Sequence, residues 1–196
     1  RSGSGSGLVS VTAPASLGAL PFDRERPNGF ARGVCSASMT HVSESDLDWT
    51  DTDRGEARFR RKQLAEAADG DRIGCSLYEL PPGSKSWPYH YHTANEEAIY
   101  VLSGNATLRR DGETVRIEAG DYVAFPADES GAHRVVNEGD DPVRYLAMST
   151  MTEPDVTVYP DSEAFGVFVG SPPGGREERS LSGYFQIDDA VDYWEP

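Results

Sequence analysis

The chain has 196 residues, with 33 acidic against 18 basic and a formal charge of −15. That length suits one ordinary domain with extensions and is enough to bury a core. Such charge repels phosphate backbones and anionic lipid, which sets aside nucleic-acid binding and membrane-surface roles.

Lys62 and Lys85 are the only lysines, so arginine carries nearly all the positive charge. This composition suits a salt-adapted protein and equally a plain acidic one. No uninterrupted run of about 18 apolar residues is present to span a bilayer as a helix. Residues 1–38 are rich in Gly, Ser, Pro and Ala, open with "SGSGSG" and lack the apolar segment of a signal peptide. They read as a disordered extension or added sequence, and Met39, the first methionine, as a possible natural start.

Residues 39–72 read as an N-terminal extension packing on a barrel. "SESDLDWTDTD" suggests loop or a short helical turn. "ARFRRKQLAEAA" fits a helix by propensity and a strand by its alternation at Phe59, Arg61 and Gln63. From 73 to 150 short strands recur between turn residues. "RIGCSLYEL" stops at "PPG", and "EAIYVLSG" ends at Gly104. "NATLRR" and "ETVRIEAG" flank Asp111-Gly112, a two-residue hairpin signal. "YVAFP", "AHRVVNEG" and "DDPVRYLAMST" follow. This rhythm argues for an antiparallel sandwich or barrel, and the lack of βαβ alternation argues against a nucleotide-binding α/β fold. Residues 151–196 mix short strands with Gly/Pro loops. Their aromatics, Tyr159, Phe165, Phe168, Tyr184, Phe185, Tyr193 and Trp194, are expected to pack on the barrel.

Cys35 and Cys75 form no CxxC motif. No disulfide framework is expected, Cys75 reads as a buried inert thiol, and a reduced, cytoplasmic setting fits best. The chemistry concentrates in "HYHTANEEAIYVLSG", residues 90–104. On an extended strand His90 and His92 share one face, which makes half a metal site. Glu96 or Glu97 and the later His133 are candidate partners. Imidazole with carboxylate suits Zn, Mn, Fe, Ni or Cu rather than Ca or Mg. Trp87, Tyr89 and Tyr91 could line a ligand pocket beside them, and Lys85 and Arg134 could meet an anionic substrate. His41 is assigned nothing.

Residues 83–104 resemble the first motif of the cupin superfamily, with His90, His92, Glu97 and Gly104 at its marked places. Residues 120–137 resemble the second, with Pro126, Gly131, His133 and Asn137. The loop spacing departs from that pattern before His90 and between Pro126 and His133. The phrasing is similar to a group of small single-barrel cupins often labelled sugar-phosphate-isomerase-like or regulatory.

The resemblance implies an all-β double-stranded β-helix, or jelly-roll barrel. It implies a divalent transition metal (Mn, Fe, Zn or Ni) on His90, His92, Glu97 and His133. Of the two adjacent glutamates, motif spacing to Gly104 selects Glu97. Three functions stay open: a metal-dependent isomerase or oxygenase acting on a small molecule, a non-catalytic small-molecule binder, and a regulator. The last ranks behind, since no DNA-binding segment is visible. A homodimer is expected, because "EAIYVLSG" is apolar on both faces and both should therefore be covered.

Overall fold

The computed structural model describes residues 40–175 and 178–194. The expectations for residues 1–38, Met39 and Cys35 lie outside them. A short 3-10 turn at Glu44–Asp46 leads into β1 (Thr50–Arg54) and β2 (Ala57–Gln63), and a single helical turn, α1 (Leu64–Ala67), follows. The ambiguous "ARFRRKQLAEAA" is thus a strand and then a turn of helix. Its strand half pairs with residues 76–79 and turns Ala57 and Phe59 into the core.

Next come β3 (Ile73–Leu80), β4 (Ser84–Lys85), β5 (Tyr91–His92) and β6 (Glu97–Ser103). β7 (Asn105–Arg110) and β8 (Glu113–Glu118) form the hairpin, turning on Asp111 and Gly112 with φ of 31° and 70°. β9 (Tyr122–Phe125), β10 (His133–Asn137), β11 (Val143–Thr150), β12 (Asp155–Tyr159), β13 (Ala164–Val169) and β14 (Leu181–Gln186) complete the order.

Ten strands form one sheet in the order β8-β7-β10-β4-β2-β3-β11-β6-β9, with β1 on β2; the other four run β14-β13-β12-β5. The curled sheets enclose one apolar core and make the jelly-roll, double-stranded β-helix architecture. Leu80, Val101, Leu108, Val135 and Val143 are fully buried there. Gly104 shows why a glycine closes β6: its φ is +78°, and a Cβ would lie 2.6 Å from the Pro142 carbonyl oxygen. Asn137 ends β10 as a pure hydrogen-bond clasp. Its amide donates to the Leu80 and Asp141 carbonyls, and its Oδ1 accepts from the Gly139 N–H.

Trp49 is held by cations: Lys62 Nζ and the Arg60 guanidinium lie 4.7 and 4.6 Å from its ring centre. The tail departs from expectation. Phe168 is buried and Tyr159 and Phe165 are half-buried, but Tyr184, Phe185, Tyr193 and Trp194 are exposed. β14 is an edge strand, so among the described residues no further layer covers its outer side chains. The outward parity of β6, Tyr100 and Leu102, is likewise exposed. Among the described residues no helix is long and apolar enough to cross a membrane.

Candidate metal site

Local pairing brings the histidines together. His90 and His133 exchange backbone hydrogen bonds across an isolated bridge, at 3.3 and 2.9 Å. His92 pairs with Thr157 of β12, and Glu97 heads β6 beside Phe125. As a result, Glu97 Oε2 lies 3.8 Å from His90 Nε2, 3.6 Å from His92 Nε2 and 3.5 Å from His133 Nε2. The donor atoms of His90, His92 and Glu97 all fall within 4.8 Å of one another. β6 places Glu97, Ile99 and Val101 inward, while Glu96 is exposed.

The other ring nitrogens explain the convergence. His90 Nδ1 lies 2.7 Å from the Pro88 carbonyl oxygen, and His133 Nδ1 lies 2.9 Å from that of Gly131. His92 Nδ1 lies 2.6 Å from Asp155 Oδ2, with Thr157 Oγ1 at 3.2 Å. Carbonyl and carboxylate oxygens only accept, so each Nδ1 carries the proton and each Nε2 presents a lone pair to the centre. The lone pairs of His90 and His92 with the Glu97 carboxylate form a candidate donor set for a transition metal; His133 Nε2 approaches Glu97 but falls outside that mutual 4.8 Å cluster. Phe125 stacks on the His133 ring at 3.7 Å, and Tyr159 lies over His90 at 6.1 Å.

Burial sets the electrostatics. It depresses His90 well below the ordinary imidazole range, helped by the neighbouring His133 and His92. It depresses His133 too, against the pull of Glu97. Burial also acts on His92, but the Asp155 hydrogen bond and the Glu97 charge outweigh it, and its pKa rises. Asp155 is fully buried, yet its hydrogen bonds to His92 and to the Ala94 N–H hold its pKa below the usual carboxylate value despite that burial.

The turn before β10 absorbs the irregular motif spacing. Asp128 Oδ1 caps it, accepting from the Ser130 N–H and hydroxyl at 2.8 and 2.6 Å. A Cβ on Gly131 would lie 2.0 Å from the Pro126 carbonyl oxygen, so only glycine lets the chain pass and deliver His133.

A cavity of about 310 Å³ opens over this centre, lined by the three histidines, Glu97, Trp87 and Tyr145 among others. Trp87 Nε1 donates to the Tyr78 hydroxyl at 3.0 Å. Lys85, Tyr89 and Arg134 do not line the cavity. Lys85 and Arg134 both pair with Glu56, at 2.6 and 3.1 Å. The Tyr89 hydroxyl accepts from the Asp111 N–H, and its ring lies under Arg109. Cys75, expected to be buried, is half-buried at the cavity wall, where burial raises its pKa and keeps it a thiol. Asp155, Thr157 and Tyr159 were not singled out as site residues in the sequence. They come from β12, past both motifs, and only the β5–β12 pairing brings them to His92.

The profile of the cupin domain family matches residues 76–149. The chain is 26% identical over 168 residues to quercetin 2,3-dioxygenase of Bacillus subtilis, covering 81% of this chain and 49% of that protein. It therefore spans about half the length of that relative. It is 37% identical over 95 residues to an oxalate-binding protein of Thermotoga maritima, covering 48% of this chain and 76% of the relative. Among solved structures, a protein of Acidithiobacillus ferrooxidans named provisionally as a sugar phosphate isomerase superposes with a TM-score of 0.66 at 26% identity. That match covers 76% of this chain and 90% of the other.

Proposed function

This chain belongs to the cupin family, and we propose that it binds a divalent transition metal on His90, His92, Glu97 and His133 and acts as a metal-dependent enzyme on a small molecule, of isomerase or oxygenase type. One observation carries the reading. Three Nε2 atoms converge on Glu97 Oε2 while every Nδ1 is committed to an oxygen acceptor. A surface histidine pair has no reason to be oriented in this way.

Bound there, the metal would supply Lewis acidity toward a substrate oxygen or, if iron, oxygen chemistry. The protein's own contribution is orientation and exclusion of water. Asp155 holds the His92 proton on Nδ1. Phe125 and Tyr159 fix two of the rings. Trp87, Tyr145 and Phe168 wall the cavity. Burial raises the pKa of both Tyr145 and Tyr159, so both phenols stay protonated and can donate.

Turnover of protein loaded with Mn, Fe, Ni or Zn, assayed against sugar phosphates, small organic acids and flavonols under oxygen, tests this reading. Metal-dependent conversion supports it. Tight binding of such compounds without conversion would favour the non-catalytic alternative, to which the oxalate-binding relative lends weight.

A further inference from the structure

β2 carries an unusual residue on its inward face. Ala57 and Phe59 point into the core, and Arg61 follows at the same parity, half-buried, on the wall of the metal cavity. The sheet register places Arg61 opposite Tyr78, Tyr78 opposite Tyr145, and Tyr145 opposite Val101, two residues along β6 from Val101's fellow inward residue Ile99 and four from Glu97. Arg61 thus belongs to the interior surface that carries the metal site. At strand spacings of about 4.8 Å it lies three strands away along the curved sheet.

Its partners are missing. Arg60, Arg109, Arg134 and Arg144 each pair with a carboxylate. The Arg61 side chain makes no hydrogen bond or ion pair among the described residues; its guanidinium lies 5.8 Å from the Trp87 ring, and Trp87 lines the same cavity. A second arginine, Arg179, also lines the cavity, packed 4.7 Å over Phe168. It donates from Nε and Nη2 to the Ser171 and Pro172 carbonyls, and among the described residues no carboxylate pairs with it.

Two guanidiniums thus face the same cavity as two carboxylates, Glu97 and Glu66. With Asp155 ionised behind His92, a divalent ion at the histidines would leave a net single positive charge there, inside a chain of formal charge −15. A half-buried, unpaired guanidinium on the wall of a cavity that also holds a cation is costly unless an anion completes the site.

We propose that Arg61, supported by Arg179, forms an oxyanion subsite, so that the cavity selects small molecules bearing a carboxylate or phosphate. The charge balance rests on the metal reading; the unpaired arginine does not. The cavity volume, at the low end for ligand pockets, limits the ligand to a small one. Arg61 holds the anionic end by the two-pronged hydrogen bonding that guanidinium offers to carboxylate and phosphate alike. The other end of the ligand then faces the histidines.

Calorimetry at low salt tests this on zinc-loaded and metal-free full-length protein, using malonate, inorganic phosphate and the neutral malonamide as probes. The loaded protein is expected to bind malonate or phosphate, and which of the two binds more tightly identifies the preferred oxyanion. Malonamide should bind far more weakly. Arg61→Gln should weaken anion binding roughly ten- to a hundredfold with zinc content unchanged, and Arg61→Lys should restore part of it. Equal binding of malonamide and malonate, or unchanged affinity in Arg61→Gln, overturns the subsite while leaving the metal reading intact. Arg61-dependent anion binding in a protein that takes up no zinc supports the subsite and defeats the metal reading alone. Should Arg61→Gln fail to fold, the comparisons of Arg61→Lys with wild type and of malonamide with malonate decide.

Discussion

Asp155→Asn is the most informative single substitution away from the candidate ligands. With no solvent exposure, Asp155 accepts from His92 Nδ1 on Oδ2 at 2.6 Å and from the Ala94 N–H on Oδ1 at 3.1 Å, with a longer contact from Thr157 Oγ1 to Oδ2 at 3.5 Å. An asparagine can keep only one of the first two. With its oxygen toward Ala94, its NH2 faces His92 Nδ1 and demands a lone pair there, which moves the ring proton to Nε2 and blocks metal binding. With its oxygen toward His92, its NH2 opposes the Ala94 N–H and leaves a buried donor unpaired, at a cost of about 1–3 kcal/mol. Loss of such a supporting partner typically weakens metal affinity about 10- to 100-fold, or roughly 1.4–2.7 kcal/mol. Chelator competition with zinc should show that loss, and nitrogen NMR of the apo variant should show the His92 tautomer shifted. An unchanged zinc affinity in Asp155→Asn, alongside lost affinity in His92→Ala, would refute the claim that Asp155 orients this ligand.

Other expectations follow from the same geometry. Glu97→Gln should lower metal occupancy sharply while Glu96→Gln leaves it nearly unchanged, as measured by elemental analysis of the two variants purified in parallel; the reverse result would mean that Glu96 is the ligand. Gly131→Ala forces the turn away from Pro126 and should cost about 1–3 kcal/mol by urea unfolding, with weaker metal retention because His133 moves. The metal-free protein should lose stability as pH falls below the unfolded imidazole value of 6.5. His90 and His133 have depressed folded pKa values, so in that window the unfolded chain takes up protons that the folded one refuses. His92, raised in the fold, opposes this with a contribution present below 6.5 and lost as pH rises through its folded value; urea midpoints constant between pH 8 and 5 would contradict the net direction. With a charge of −15, the melting temperature should rise from dilute buffer to molar KCl, as screening lengths shrink from roughly 30 Å to about 3 Å; a flat profile would count against self-repulsion.

Much of this fold was legible because its signals are local. Asp111-Gly112 needs φ > 0 and marked the hairpin. β6 reads as apolar on both parities, so motif spacing singled out Glu97, whose parity, shared with Ile99 and Val101, is the inward one. The "ARFRRKQLAEAA" segment could not be decided from its own residues. Its strand half is held by pairing with β3, a partner the local pattern does not name. Asp155 was invisible for the same reason: its role exists only through a pairing 63 residues away. The charged pocket candidates Lys85 and Arg134 share a sequence-distant partner, Glu56, which nothing local to either residue shows. Arg61 was seen as an alternating residue, but nothing local shows that it lacks a counter-ion.

The central claim is that His90, His92, Glu97 and His133 hold one transition metal. The most direct test is metal analysis of the purified protein after exposure to a mixture of Mn, Fe, Ni and Zn, with X-ray absorption to identify the coordinating atoms. The account predicts a single tightly held ion per chain, bound through imidazole nitrogen and carboxylate oxygen, and its loss in His92→Ala and His133→Ala. Folded protein that retains no ion, or that retains it equally in both alanine variants, would contradict the account.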